Sequence, residues 1–356
     1  MTDEILSLQN KIICLEKENQ YLKSLLDGAG ISYHVSAIMK NGDLPDPDQG
    51  ARIISRKITD HDANLFFSMF WGRTDVYAKR TIKKSTREIH YYTQCYNFYK
   101  TGCPRMSGSK IRCQDCKRQA YKKLEKQQIM AHLKGVSEDA ADVIGIYPLL
   151  EDDTCRFLVF DFDNHDKNAE KRDFANTDDI WKEEVDALRE ICVINGIDPL
   201  VERSRSGCGA HLWIFFQKKI EASLARKFGN TLLRKGAESV NLKSFRFYDR
   251  MLPMQDHLSQ GGIGNLIALP LQGQALKEGN SAFVDENWNA YPDQWKILLS
   301  KPKLSKEFIE DKLKEWKNFA SNKEIESNEI LEQDGEKPWD RTKDFWKSDV
   351  NGDLQI

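Results

Sequence analysis

The stretch Arg156-Phe-Leu-Val-Phe-Asp-Phe-Asp-Asn164 constrains the fold more than any other in the chain. Its apolar run is dense enough for a strand buried on both faces, yet two carboxylates stand at its end. Side chains two apart on a strand share a face, so Asp161 and Asp163 point one way while Phe160 and Phe162 enter the opposite layer. Like charges side by side repel unless a cation lies between them. The pair therefore predicts either a solvated strand end or a cation site at the edge of a layered sheet.

Around it, IGIYPLL, PLVERS, AHLWIFFQ, SFRFYD and NLIALPLQ also read as strands, alternating irregularly with helices near 176–194 and 221–238. That order predicts an α+β fold with a mixed sheet rather than a regular βαβ array. Further helices are predicted around His61 to Phe70 and from about residue 303. The 356 residues suffice for one large or two ordinary domains. No apolar run reaches the roughly 18 residues that suggest a membrane span, so no membrane partner is expected. A charged N-terminus and free-looking cysteines predict a reducing cytoplasm. A net charge of −2 excludes a basic coat but leaves room for a local basic groove. No G-x-x-x-x-G-K-[ST] loop is present, so a P-loop ATPase is excluded.

Residues 1–28 carry Ile5, Leu8, Ile12, Leu15, Leu22 and Leu26 on a heptad seam, with Asn19 at an a position. This pattern predicts a parallel two-stranded coiled coil, and hence a homodimer, or an amphipathic helix packed on its own domain. Gly28, Gly30, Gly42, Pro45 and Pro47 mark residues 29–50 as a linker.

Cys95, Cys103, Cys113 and Cys116 have seven, nine and two residues between them, among Gly, Pro, Ser and Lys. Four thiolates so spaced can close a tetrahedral zinc site that replaces a hydrophobic core, so a structural zinc module is predicted over 95–116. Cys14, Cys155, Cys192 and Cys208 fall in helical or strand patterns and read as small core residues. Lys100, Arg105, Lys110, Arg112, Lys117, Arg118, Lys122 and Lys123 are interleaved with Tyr96, Phe98, Tyr99 and Tyr121. Cations for phosphates and rings for bases predict a single-stranded nucleic-acid surface.

In RSRSGCGAHLWIFF, Gly207 and Gly209 permit a tight backbone turn, Ser206 offers a hydroxyl, and Arg203 and Arg205 offer charge. His211 then opens a strand on the same face as Trp213, which points to a triphosphate contact.

A D-x-D closing an apolar strand, followed about forty residues later by Ser-Gly-x-Gly-x-His, resembles the archaeo-eukaryotic primase superfamily. With GRTDVYAKR, the cysteine spacing, YDRMLPMQD, GGIGNLIALPLQG and GNSAFVDENW, residues 50 to 300 resemble the primase domain of TOTE conflict systems, close relatives of CRISPR-associated primase-polymerases. The resemblance implies a prim-pol core with an RRM-like mixed sheet, divided here into an N-terminal part over 51–150, a catalytic core over 151–300 and a C-terminal helix with polar tail over 301–356. It implies a DNA primase and polymerase using two magnesium or manganese ions held by Asp161, Asp163 and a third carboxylate, for which Asp256 is the first choice and Asp249 the rival. It makes His211 and Ser206 the triphosphate contacts, with Arg203, Arg205 and Asn265 as helpers. The implied partners are single-stranded DNA template and primer, nucleoside triphosphates, and helicase or CRISPR adaptation proteins. Family members often continue into a helicase and nuclease, so the chain reads as a standalone member or a module of a longer protein. The alternatives are a two-metal nuclease and a non-catalytic nucleic-acid-binding adaptor.

Overall fold

The computed structural model describes residues 53–326 apart from 84–85, 99, 106–107, 110, 165–179 and 240–244. The predicted coiled coil, linker and polar tail lie outside the described residues. Contacts divide the chain into Met1–Gln49 and Gly50–Ile356, and the described residues all belong to the second unit.

That unit opens with α1 (Asp60–Met69), where Thr59 Oγ accepts from the Asp62 amide and the Asp62 carboxylate accepts from the Thr59 amide. This reciprocal cap satisfies two amides left unpaired by the first helical turn. Next come β1 (Ala78–Ile82), β2 (Ile89–Thr93), α2 (Lys126–Lys134), β3 (Ile144–Ile146), β4 (Thr154–Asp163) and α3 (Ile180–Ile194). The chain continues through β5 (Leu200–Arg203), β6 (Gly209–Glu221), α4 (Ala222–Ser239), β7 (Tyr248–Leu252), β8 (Ile267–Ala268) and α5 (Gly273–Lys277). It ends with β9 (Ala282–Phe283), α6 (Gln294–Ser300), β10 (Lys303–Leu304) and α7 (Lys306–Glu326).

The strands form two sheets, ordered β2-β1-β3-β8 and β7-β4-β6-β5-β9, with β10 beside β6. Every strand pair is antiparallel except β10 with β6, so the fold is α+β, as the order of predicted elements requires. Among the described residues no helix is long and apolar enough to cross a membrane.

The pleat of β4 explains its unbroken apolar run. Leu158, Phe160 and Phe162 join one core with Val185 and Leu188 of α3 and Phe228 and Leu232 of α4. Phe157 and Val159 join another with Phe66 of α1, Leu133 of α2, Ile144 of β3 and Trp213 of β6. Both faces are covered, so truncating Phe160 to alanine should cost about 3–5 kcal/mol. Asp161 and Asp163 continue the Phe157–Val159 face at the strand end.

The second core holds a polar anchor. His132 is 0% exposed, its Nδ1 accepts from the Ile144 amide at 3.2 Å, and its Nε2 lies 2.9 Å from the Pro270 carbonyl. Burial dominates and lowers its pKa from 6.5 to about 4. Between those values the unfolded chain binds the proton and the folded chain does not, so stability falls as pH drops through this window. The loss approaches about 3 kcal/mol by the lower end. Denaturant midpoints measured from pH 7 to 4 should therefore fall, and fall less in His132→Gln, whose amide offers the same donor and acceptor but no titration.

Candidate active site

Four charged side chains from four neighbouring strands stand in one row across the larger sheet. Arg250 on β7 faces Asp161 on β4, Asp161 faces His211 on β6, and His211 faces Glu202 on β5. Residues directly opposite on antiparallel strands share a face, so strand register alone aligns them. Arg250 Nε lies 3.1 Å from Asp161 Oδ2, His211 Nε2 3.4 Å from Asp161 Oδ1, and His211 Nδ1 2.8 Å from Glu202 Oε2. The signs alternate along the row. Asp161 and His211 are each 8% exposed. Burial would raise the Asp161 pKa, but the hydrogen bond and charge of His211, with Arg250, outweigh it and hold the carboxyl below its ordinary value. Burial would likewise lower His211, but the Glu202 and Asp161 carboxylates push it up to about 10. The repulsion expected of the Asp161–Asp163 pair is thus already met by protein cations on Asp161.

Asp163 sits opposite Gly209. A Cβ on Gly209 would come within 2.3 Å of the Phe162 carbonyl oxygen, so only glycine lets the turn approach β4. Gly207 takes φ +81°, in the left-handed region. The turn between β5 and β6 is closed internally, with the Gly207 amide on the Ser204 carbonyl, the Cys208 amide on Ser206 Oγ, and the Ser204 and Ser206 hydroxyls 3.0 Å apart. The amides of Gly207 and Cys208 are thus engaged within the turn.

The remaining predicted residues separate. Arg203 donates to the loop carbonyls of Gly279 at 3.3 Å and Trp288 at 2.5 Å, so it braces a loop. Arg205 has a buried Nε without a hydrogen-bond partner and stands near Arg80, itself 5% exposed and bonded to the Asp139 carbonyl. Asn265 donates to Met254 Sδ. Asp256 lies beyond β7 with its carboxylate 2.6 Å from Arg226 of α4. Asp249, in contrast, lies 3.5 Å from Arg250 Nε, the same nitrogen that meets Asp161. A β-bulge between Asp161 and Phe162 takes the β4–β7 register from Arg250 directly to Tyr248, so regular alternation does not decide which way Asp249 faces.

Glu202, Arg250 and Arg80 were not among the predicted residues. Glu202 was within reach of the sequence, because counting equally outward from Ser206 and Gly207 pairs Arg203 with Ala210 and Glu202 with His211.

The four predicted zinc ligands Cys95, Cys103, Cys113 and Cys116 are half-buried, free of disulfides, and line one cavity of about 30 Å³. The amides of Asn97 and Ala120 each point at Cys95 Sγ from 3.4 Å. Among the described residues, however, no group of three or more His, Cys, Asp or Glu side chains is placed to hold a metal. The thiols surround their cavity without closing on a centre, and at the carboxylates the Arg250 guanidinium meets both Asp161 and Asp249. Near the cysteines, Arg105 lies 4.9 Å over the Tyr92 ring and Lys122 5.5 Å over Tyr96. Of the predicted cations, Arg105 and Lys122 thus pair with rings, one of them the predicted Tyr96 and the other Tyr92, which was not predicted.

Comparison with known proteins adds the family. Among solved structures, the chain is similar to the polymerase domain from Mycobacterium tuberculosis ligase D in complex with DNA, with 14% identity, a TM-score of 0.39, and coverage of 71% of this chain and 88% of that one. No curated protein matches. The family model for the TOTE conflict system, Archaeo-Eukaryotic Primase domain, matches residues 61–312. That span is well over half of the chain and contains the whole charged row, the glycine turn and the four cysteines, so the chain belongs to the archaeo-eukaryotic primase domain family of TOTE conflict systems.

Proposed function

We propose that the chain is a template-directed nucleotidyltransferase, a primase-polymerase that joins nucleoside triphosphates on single-stranded DNA. The observation that carries this reading is the row Arg250, Asp161, His211, Glu202 beside the turn at Ser206 and Gly207, within a primase-family domain. Phosphoryl transfer asks a protein for positioning and for compensation of charge more than for covalent chemistry. His211 Nε2 offers a charged donor to a triphosphate, the exposed Ser206 hydroxyl a neutral one, and Arg205 with Arg80 two cations that form no ion pair with a described carboxylate.

Asp161, Asp163 and Asp249 would hold magnesium or manganese, since all three offer the hard oxygen donors those ions take. When bound, the ions supply charge at the leaving pyrophosphate and activate the attacking hydroxyl. Cys95, Cys103, Cys113 and Cys116 would hold zinc, because four soft donors around a cavity of about 30 Å³ suit one such ion. The cations and rings at Arg105, Tyr92, Lys122 and Tyr96 are the proposed template surface.

The test is incubation with labelled triphosphates, unprimed single-stranded DNA and either metal, with products resolved on a gel. A ladder of extended products supports the reading. Shortening of the template without triphosphates indicates a nuclease instead, and binding without either reaction indicates an adaptor.

Asp249 replaces Asp256 as the proposed third carboxylate, because it and Asp161 meet one nitrogen of Arg250 whereas Asp256 is paired with Arg226. Asp249→Asn should lower kcat/KM by about 100-fold or more, the scale of losing one fixed charge contact in a transition state. Asp256→Asn should stay within about threefold of wild type, as expected for a half-exposed ion pair. The reverse ranking would restore Asp256.

A further inference from the structure

Glu202 is a buried acid that the proposed chemistry does not consume. It is 1% exposed, and its carboxylate accepts from three side chains: His211 Nδ1 at 2.8 Å and Trp213 Nε1 at 3.0 Å on Oε2, and Ser281 Oγ at 3.4 Å on Oε1. Among the described residues no lysine or arginine pairs with it, so its only cationic partner is His211. An acid buried on these terms costs several kcal/mol in desolvation. A hydrocarbon of the same size would fill the space at lower cost, so the geometry has to be explained by what the carboxylate holds.

It holds the His211 ring. Occupying Nδ1 leaves Nε2 as the only ring nitrogen facing Asp161, and a hydrogen-bonded second nitrogen sets the tautomer and orientation of a working imidazole. The Trp213 indole fixes the carboxylate from the adjacent inward position of β6, its ring 5.8 Å from the imidazole and nearly perpendicular to it. Ser281 ties the other oxygen to the segment entering β9, where the Gln272 amide in turn donates to Ser281 Oγ at 3.3 Å. The acid is held from two sides before it meets the histidine.

We propose that Glu202 is the positioning residue of the site, fixing the His211 ring so that Nε2 is presented to the triphosphate beside Asp161. This rests on the reading of His211 as a triphosphate contact, and Glu202 itself touches no substrate. A ring released from Glu202 could turn about its Cβ–Cγ bond, and misplacing a contact by about 1 Å can cost 100-fold.

The test compares wild type, His211→Ala, Glu202→Gln, Glu202→Leu and the Glu202→Leu/His211→Ala double variant in synthesis on single-stranded DNA. Glu202→Gln keeps an acceptor for the imidazole and indole and a donor for Ser281, so its KM for triphosphate should stay within about threefold of wild type. Glu202→Leu keeps no acceptor, and its KM should rise by about 10- to 100-fold with a smaller change in kcat. The double variant should be no worse than His211→Ala alone, because the two residues act as one unit. A merely structural role would lower the melting temperature of Glu202→Leu, leave KM of the folded enzyme unchanged and make the double variant additive, and any of the last two results overturns the proposal. If Glu202→Leu does not fold, ¹⁵N imidazole spectra of the wild type decide: His211 should show a protonated, hydrogen-bonded Nδ1 and an Nε2 signal that moves when a triphosphate is added. A His211 with unprotonated Nδ1 overturns the proposal. A normal triphosphate KM in His211→Ala overturns the reading of His211 itself, and that variant tells the two failures apart.

Discussion

Asp161→Asn with Asp163→Asn is expected to abolish nucleotide joining while single-stranded DNA binding stays near wild type. Losing the carboxylates that would hold the catalytic ions removes several kcal/mol of transition-state stabilisation. At 1.36 kcal/mol for each factor of ten, the loss is about 10³-fold or more. The two substitutions are not equivalent. Asp161 compensates His211 and Arg250 in a buried setting, so Asp161→Asn should also destabilise the fold, by an amount approaching the roughly 3–5 kcal/mol of a broken buried pair. Repulsion between the two acids alone would have predicted the opposite, a gain in stability. Asp163 is less buried than Asp161, so Asp163→Asn alone separates chemistry from folding: it should be as silent as the double variant and melt near wild type. Product ladders from either variant at wild-type rates would remove both acids from the active site.

The acids were legible in the sequence because they end the most strongly patterned strand. Leu158, Phe160 and Phe162 on one face and Phe157 and Val159 on the other leave β4 a single register, and the register carries Asp161 and Asp163 with it. The same held for His211, which follows a turn that only glycine can make against β4. β1 and β2 were not legible. Ala78–Ile82 and Ile89–Thr93 are short and bear lysine, arginine and histidine among their apolar positions, so no alternation marks them, and the pairing of β2 with β1 and of β1 with β3 is what holds them as strands. The third carboxylate stayed open in the sequence for a different reason. Regular alternation cannot say which of Asp249 and Arg250 faces Asp161, because a bulge decides it, and the expected strand SFRFYD in fact begins only at Tyr248. Arg203 read as a phosphate helper because a cation beside a glycine turn suits that role; in the fold it donates to carbonyls of loops more than seventy residues away in sequence, which no local pattern marks.

Cys113→Ser is expected to empty the proposed zinc site and unfasten the segment from Cys95 to Tyr121 without melting the sheets behind it. No described residue from 95 to 120 is buried, so this segment cannot repay its ordering entropy by burying apolar surface. Its base is pinned by the Tyr96 amide on the Ala120 carbonyl at 2.8 Å and the Lys122 amide on the Gln94 carbonyl at 3.0 Å, and exposed bonds such as Asn97 Nδ2 on the Arg118 carbonyl at 2.7 Å tie its arms. A loop of this length built without a core needs a staple, and no disulfide supplies one. Structural zinc in small modules contributes about 10–16 kcal/mol, far more than any other contact available here. Elemental analysis of wild type should find about one zinc per chain, as one closed four-thiolate site implies, and Cys113→Ser should find almost none. Hydrogen exchange should then speed up across 95–121 and stay slow in β4 and β6, whose pairing does not involve the segment. Priming should fall as well, because Arg105 and Lys122, which lie over Tyr92 and Tyr96 on the proposed template surface, lose their fixed positions. Full zinc in Cys113→Ser would show that other ligands hold it, and a zinc-free wild type with the segment fully protected would show that the loop needs no metal to order.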